Sequence, residues 1–218
     1  MLFEDRVDAG KRLAAELERY RGKDVLVLGI PRGGVVVAYQ VASALDADLD
    51  VIIPRKIGAP GQPELAIGAI ASHNDVVFLD PQTISYLGVS DSYIREEIAR
   101  QKEEIARRER MYRGDRPFPK IEGRTVILVD DGIATGATTI AAARSIKHHN
   151  PSRLVLAVPV APYEAIYRLR PEVDDLVVLE TPEPFFAVGS WYNRFDQTTD
   201  EEVIELLTKR QTDADSSR

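Results

Sequence analysis

Short runs of apolar residues alternate along this chain with segments in which apolar residues recur every three or four positions. The short runs, most of them bounded by glycine, proline or acidic residues, indicate buried strands, and the longer spacing indicates amphipathic helices. Strands that alternate with helices are typical of a mostly parallel sheet. The pattern therefore predicts an α/β fold, with a Rossmann-like parallel sheet flanked by helices.

The same pattern gives approximate bounds for the elements. Predicted strands cover residues 24–29, 49–53, 67–71, 76–79, 125–129, 154–160 and 176–179. Predicted helices cover residues 3–20, 35–45, 90–112, 138–149, 163–169 and, after a capping-box pattern, 199–209. Segment 54–63, with three prolines and two glycines, is predicted to be a loop, and 185–195 to be irregular.

Composition narrows the function classes. The chain has 218 residues, 44% of them hydrophobic, and a net charge of -7, so tight nonspecific binding to nucleic acid is not expected. It contains no cysteine, which excludes disulfides, thiolate nucleophiles and cysteine-based zinc sites. His73, His148 and His149 lack metal-site spacing and are interpreted as surface residues. We find no signal peptide and no membrane span, and expect a cytoplasmic protein.

Three loops of unusual composition follow predicted strands, at residues 30–34, 55–63 and 130–138. Ligands of parallel sheets bind beyond the carboxyl ends of the strands, so these loops are the first indication of a site. The third begins with Asp130 and Asp131 and continues with small residues into a helix. Its backbone N–H groups are suited to a phosphate. The loop residues are Ile133, Ala134, Thr135, Gly136, Ala137 and Thr138.

Two carboxylates beside a phosphate loop would repel a ligand that is only a phosphate. They suit a ligand with a phosphate at one end and hydroxyls or a bound metal at the other, such as a ribose 5-phosphate. The alternative to a ligand-binding role is a purely structural one, in which a strand simply ends in aspartate before a helix N-cap. The loop lacks the Gly-Lys-Ser/Thr of a Walker A motif, and the chain lacks an early GxGxxG loop, so neither an NTPase nor a dinucleotide-binding protein is expected.

The string VILVDDGIATGAT resembles the phosphoribosyl-diphosphate (PRPP) signature of the type I phosphoribosyltransferases. The resemblance implies that Asp130 and Asp131 hold the ribose hydroxyls and that Ile133 to Thr138 bind the 5-phosphate. It also implies the fold of that family, with a small cap or hood subdomain. Mg²⁺ is the implied cofactor, held mainly through PRPP near the two aspartates, with few or no direct protein ligands.

The other two loops resemble parts of the same family. Gly29 to Gly34 (GIPRGG) resembles the pyrophosphate loop, which implies diphosphate binding by Arg32, Gly33 and Gly34 and a strained, often cis, peptide at Arg32–Gly33. Arg55 and Lys56 resemble the Arg-Lys pair of the adenine and orotate enzymes, whose arginine contacts pyrophosphate. Without that context, an exposed basic pair would be the better interpretation.

Catalytic and base-binding residues are matched less closely. Asp130, Asp131 and Arg55 are the catalytic candidates, and segment 57–63 is the candidate lid. The acid that precedes the Thr-Gly of the hypoxanthine-guanine enzymes is Ala134 here. Glu64 is a weak substitute as general base, and an exposed loop acid is the alternative interpretation.

An aromatic segment supplies the candidates for base stacking. Phe185 to Tyr192 resembles the purine-contacting segment of the hypoxanthine-guanine enzymes, so Phe186 and Trp191 are the stacking candidates. Packing within the core of the subdomain is the alternative role for both side chains, and the sequence favours neither role. The acid that comes later in the family segment is Asn193 here, and no lysine follows strand 154–160 to bind a 6-oxo group.

The sequence predicts one domain over residues 1–210, with a core at roughly 24–180, a cap from roughly 57–120 and 181–210, and a disordered tail at 211–218. The expected activity is transfer of the 5-phosphoribosyl group to a nitrogenous base, as in nucleotide salvage. A PRPP-binding regulator and a related phosphate-ester hydrolase or phosphorylase are the alternatives. The charged helix 90–112 is assigned to the cap or a dimer surface. The acceptor stays open, and a homodimer is the general expectation.

Overall fold

The structure is a computed structural model that describes residues 2–72 and 76–216. Within these residues the helices are α1 (Arg6–Glu16), α2 (Gly33–Leu45), α3 (Pro81–Leu87), α4 (Asp91–Arg113), α5 (Ala137–His148), α6 (Tyr163–Leu169) and α7 (Asp200–Ser216). The strands are β1 (Val25–Gly29), β2 (Asp48–Val51), β3 (Pro54–Ala59), β4 (Gln62–Ala71), β5 (Val77–Leu79), β6 (Thr125–Val129), β7 (Arg153–Val160) and β8 (Asp175–Glu180).

Five strands form a parallel sheet in the order β2-β1-β6-β7-β8. Every residue of β1 and β6 is buried, which explains why these strands are continuous apolar runs rather than alternating ones. One hydrophobic cluster contains α1, α2 and Val27 of β1, and another contains α5 and Leu28 of the same strand. The predicted α/β class, with a parallel sheet between helices, is confirmed.

A separate antiparallel sheet has the order β3-β4-β5. The prediction of a loop over 54–63 is therefore wrong, because Pro54 begins β3 and the chain turns at Gly61 into β4. Pro54 is tolerated as the first residue of its strand. Pro63 lies between the paired residues Gln62 and Ala66, where the ladder shifts register, so its missing N–H breaks no ladder bond.

Several other bounds differ from the sequence predictions. The first helix is shorter than 3–20, because Asp5 caps it through hydrogen bonds from the N–H groups of Val7 and Asp8. Helix α3 was not predicted. The last helix begins with the predicted capping box, in which Thr199 and Glu202 bond each other's backbone N–H. It extends to Ser216, so residues 211–216 are helical rather than disordered, and 217–218 lie outside the described residues.

No helix in the described ranges is both long and apolar enough to cross a bilayer. His148 is exposed and His149 is partly buried. His73 and the turn residues 74–75 lie outside the described residues.

A buried ion pair joins the charged helix α4 to the parallel sheet. Arg113 Nη2 lies 3.1 Å from Asp50 Oδ1, and the two side chains are only 4% and 9% exposed. The same guanidinium donates to the carbonyl oxygen of Val51 at 3.1 Å, and Asp50 accepts the N–H of Val51 at 2.7 Å. The guanidinium, the carboxylate, and the N–H and carbonyl of Val51 therefore all have hydrogen-bond partners in a region that excludes water. Loss of either charged side chain would leave the other charge buried and unpaired.

We expect Arg113→Met to lower the free energy of unfolding by about 3–5 kcal/mol, since Asp50 would remain buried without its cation. Urea denaturation followed by circular dichroism measures this loss. Arg107→Met is the matched control on the same helix, because Arg107 pairs with Glu104 while 57% exposed and exposed pairs contribute little. Similar losses for the two variants would contradict the assigned role of the buried pair.

Candidate functional site

The two predicted acids lie at the carboxyl end of β6, in the middle of the parallel sheet. Asp130 is the first residue after the buried strand, and its Oδ1 accepts the N–H of Asp131 at 2.8 Å. Both residues are partly buried, and the Asp131 side chain is 16% exposed. The strand thus holds two carboxylates at the carboxyl end of the parallel sheet, where the ligands of such folds bind.

The loop after β1 packs directly against these carboxylates. A Cβ atom added at Gly33 would lie 2.0 Å from Asp131 Oδ2, and one added at Gly34 would lie 2.8 Å from Asp130 Oδ1. Only glycine, which has no Cβ atom, allows the loop to approach this closely. The glycines predicted to bind the diphosphate therefore lie beside the aspartates predicted to bind the ribose. The cis peptide is Pro31–Arg32, one residue earlier than predicted, because Arg32 already caps α2 and its next peptide enters the helix.

The predicted phosphate loop leads into α5. Ile133 is buried and its N–H donates to the carbonyl oxygen of Val160 at 2.9 Å, whereas Ala134 and Thr135 are exposed. Gly136 is the N-cap, with φ 81°, a conformation that glycine adopts without strain. Helix α5 then begins with Ala137 and Thr138. The backbone N–H groups in the first turn of a helix have no partner within the helix, so they suit an anion.

The predicted cationic residues lie in two cavities. Arg32 and Gly33 line one of about 340 Å³ with Phe195, Gln197 and Thr198. Arg55, Lys56 and Glu64 line another of about 320 Å³, together with Thr138 of the phosphate loop. The structure therefore connects Arg55 and Lys56 to the phosphate loop, but does not bring them together with Arg32.

Glu64 forms an ion pair with Lys56, at 3.3 Å between Oε2 and Nζ, and its side chain is 93% exposed. It lines the cavity with Thr138 and not with the two aspartates. The exposed-acid interpretation therefore fits its surroundings better than the role of general base.

The two stacking candidates lie in different surroundings. Phe186 is 82% exposed and lines a cavity of about 660 Å³ with Ala134, Thr135 and Tyr163. Trp191 instead packs on a small cluster that includes Phe3, and its buried Nε1 has no hydrogen-bond partner within the described residues. Base stacking therefore stays a prediction for Phe186, which lines the cavity beside the predicted phosphate loop, whereas the surroundings of Trp191 fit packing better.

The comparisons with known proteins agree with this arrangement. The family described as "Phosphoribosyl transferase domain" matches residues 3–194. Protein Rv0571c of Mycobacterium tuberculosis H37Rv, whose name assigns it provisionally to the phosphoribosyl transferases, is 43% identical over 97% of this chain and 48% of its own length. This chain thus spans about half the length of the curated relatives it matches.

Solved structures give the same result for the fold. The crystal structure of TT1426 from Thermus thermophilus matches with a TM-score of 0.82 and 44% identity, over 96% of this chain and 99% of that one. A purine phosphoribosyltransferase from Pyrococcus horikoshii matches with a TM-score of 0.50 and 17% identity, over 89% and 93%. The second likeness concerns the fold alone.

This chain belongs to the phosphoribosyltransferase family. The family resemblance stated from the motifs is confirmed, as is the type I fold with its separate small antiparallel sheet. Members of this family are transferases. The roles of individual residues remain predictions that rest on where the structure places them.

Sequence reasoning missed Arg6, which comes from the start of α1. Arg6 Nε donates to Asp131 Oδ2 at 2.7 Å, and Nη1 donates to the carbonyl oxygen of Asp196 at 2.6 Å. Its guanidinium also lies 3.8 Å from the centre of the Phe195 ring. The contact with Asp131 joins residues 125 positions apart, so no local pattern indicates it. Tyr192, which donates to the carbonyl oxygen of Asp131, was missed for the same reason.

Burial raises the pKa of Asp130 well above its ordinary value of 3.8, and the neighbouring charge of Asp131 adds to this effect. Burial also raises the pKa of Asp131, but the charge of Arg6 opposes the rise. Within the described residues, the candidate site thus contains one carboxylate with an ion-pair partner, Asp131, and one without, Asp130. An ionised Asp130 destabilises the folded chain at neutral pH, because the unfolded chain solvates that charge better.

We therefore expect Asp130→Asn to raise the free energy of unfolding at pH 7.5, within the range of about 0.5–2 kcal/mol that stabilising substitutions commonly give. The gain should shrink as the pH falls from the raised pKa toward 3.8, because the native carboxyl then becomes neutral. Urea denaturation across this pH range measures both effects.

Asp131→Asn is the matched control for this prediction. The pKa of Asp131 is also raised, but the charge of Arg6 opposes the rise, so the gain in the free energy of unfolding should be smaller than for Asp130→Asn. An equal or larger gain for Asp131→Asn would contradict the assigned difference between the carboxylates.

Proposed function

We propose that this chain transfers the 5-phosphoribosyl group of PRPP to a nitrogenous base or related acceptor and releases pyrophosphate. The observation that carries the proposal is the contact between Gly33-Gly34 and the carboxylates of Asp130 and Asp131. It supports a single ligand whose diphosphate, ribose and 5-phosphate lie along consecutive loops. Family membership adds support for the reaction class.

Each loop has a role in this proposal. The α5 N-terminus, with Thr135 and Thr138, holds the 5-phosphate through N–H and hydroxyl donors. Asp130 and Asp131 accept the ribose hydroxyls. Arg32 and the Gly33-Gly34 backbone bind the diphosphate from one side, and Arg55 and Lys56 from the cavity shared with Thr138.

The chemistry is a displacement at C1 of the ribose. The C1–O bond to the diphosphate breaks as an acceptor nitrogen bonds to C1 through an oxocarbenium-like transition state, and the acceptor loses a proton. Asp130 and Asp131 lie where positive charge develops, so they stabilise it electrostatically. Positioning of the acceptor by Phe186 and exclusion of water by the β3–β4 hairpin complete the site.

Mg²⁺ is the proposed cofactor. The donor set fits a hard cation, since two carboxylates lie side by side and burial makes the Asp130 charge unfavourable without one. No cluster of three or more potential metal-ligating side chains occurs in the described residues. The family resemblance implies an ion held mainly by the substrate. Bound there, it would neutralise charge on the diphosphate.

The cap is proposed to be the antiparallel sheet with α3 and α4, together with the segment after β8. This division leaves the parallel sheet and its helices as the core. It places Arg55, Lys56 and Phe186 on the cap and Asp130 to Thr138 on the core, so substrate would bind between the two.

The proposal predicts base-dependent release of pyrophosphate from Mg-PRPP. A coupled assay over purine and pyrimidine bases should identify at least one acceptor. Asp130→Asn with Asp131→Asn should reduce release to background, because the ribose hydroxyls and the developing positive charge lose both carboxylates. Tight PRPP binding without release would instead favour a regulator. Breakdown of PRPP without any base would favour a hydrolase.

Calorimetry provides a second test, which separates the two ends of the ligand. Arg55→Ala should weaken Mg-PRPP binding by about tenfold or more, as expected for loss of a charged hydrogen-bond donor, and should leave ribose 5-phosphate binding nearly unchanged. Arg194→Ala is the control, because Arg194 is 63% exposed and pairs with Glu4 and Asp5. Equal losses for both ligands would place Arg55 away from the diphosphate.

A further inference from the structure

One face of α4 lies along the β3 strand that carries Arg55. Tyr93, Glu97 and Gln101 are spaced four residues apart, so they share that face. The hydroxyl of Tyr93 donates to the carbonyl oxygen of Gly58 at 3.0 Å, and Gln101 Oε1 accepts from Arg55 Nε at 2.9 Å. Helix α4, whose role the sequence left open, thus contacts β3 at two points, and β3 carries Arg55, which is proposed to bind the diphosphate.

Glu97 decides which way the Gln101 amide faces. Gln101 Nε2 donates to Glu97 Oε1 at 2.7 Å, and Glu97 is only 8% exposed. Burial raises the pKa of Glu97, but hydrogen bonds from Arg100 and Gln101 outweigh it, so the pKa lies below its ordinary value. An ionised carboxylate only accepts hydrogen bonds, so the NH₂ group must face Glu97 and the amide oxygen must face Arg55.

This arrangement uses only one nitrogen of Arg55. Within the described part of the chain, Arg55 forms no hydrogen bond besides that from Nε to Gln101, so Nη1 and Nη2 have no protein partner. Burial lowers the pKa of this guanidinium, although an arginine stays charged at neutral pH. The side chain lines the cavity shared with Lys56 and Thr138. Two free nitrogens in a fixed fork match two oxygens of a diphosphate.

We propose that Gln101, oriented by Glu97, is a positioning residue that holds Arg55 with its terminal nitrogens free for the substrate diphosphate. The inference rests on the proposed function and adds a role for α4. A hydrogen bond at Nε restricts rotation of a long side chain, so less conformational entropy is lost when the diphosphate binds. Glu97 and Gln101 of α4 also line this cavity, and the role we assign to them is to hold Arg55 rather than to bind the diphosphate.

The test uses inorganic pyrophosphate with Mg²⁺ and, separately, ribose 5-phosphate as calorimetric probes of the full chain. Gln101→Met keeps the length of the side chain and removes the hydrogen bonds. We expect it to weaken Mg-pyrophosphate binding by about five- to tenfold, the usual net effect of one hydrogen bond, because the lost bond orients Arg55 and does not itself reach the ligand. Binding of ribose 5-phosphate should change by less than about twofold.

Two further variants separate positioning from general structure. In an Arg55→Ala background, Gln101→Met should cause almost no additional loss, because both changes affect the same contact. Glu97→Gln combined with Gln101→Glu exchanges the two groups, keeps the acceptor for Arg55, and should restore most of the pyrophosphate affinity. Glu103→Ala, an exposed acid on the same helix, should leave both ligands unaffected.

The outcomes distinguish this inference from the proposed function. If the unaltered protein binds neither probe, both fail. If it binds Mg-pyrophosphate and Gln101→Met binds it equally well, only the inference fails. Equal losses for both probes, or an additive loss in the Arg55→Ala background, would also overturn it, because the glutamine would then act through the fold and not through Arg55.

Discussion

The carboxylates of Asp130 and Asp131 lie side by side where the buried strand β6 ends, and the rest of the site is arranged around them. Only glycine fits opposite them, so Gly33-Gly34 of the neighbouring loop approaches to contact distance. Arg6 compensates one charge and leaves the other uncompensated. A carboxylate without an ion-pair partner in the described residues lowers the stability of the free protein, and it would suit the ligand that we propose, which brings hydroxyls and a cation.

The fold explains why these groups meet. In the order β2-β1-β6-β7-β8, strands β1 and β6 are neighbours in parallel, and Gly29 pairs in register with Val129. The loops that follow these residues must therefore leave the sheet at the same end, beyond the carboxyl ends of the strands. The antiparallel sheet then adds Arg55 from the side, supported by α4 through Gln101. Arg32 and Arg55 line separate cavities, and in the proposed function both bind the diphosphate.

The sequence predicts the parallel sheet well because buried strands and capped helices leave local patterns, such as the apolar residues 126–129 and the Thr199–Glu202 capping box. It groups Asp130, Asp131 and the loop at 133–138 in one candidate site because they occupy one continuous stretch, and their roles stay predictions. It fails for the hairpin at 54–63, where proline and glycine suggest a loop but lie at a strand start, a turn and a register shift. Arg6 and Gln101 act over long sequence separations, which no periodicity records.

The contact between segments 3–6 and 192–196 has a consequence for the order of folding. Phe3 bridges to Tyr192, and Arg6 bonds Asp196 across 190 positions. Closing so large a loop is entropically unfavourable until the intervening sheet brings its ends together. A nascent chain that has completed all five parallel strands still lacks the segment that fixes Arg6 beside Asp131. The acid pair thus acquires its final environment only after residues 192–196 have been synthesised and have packed beside Phe3 and Arg6.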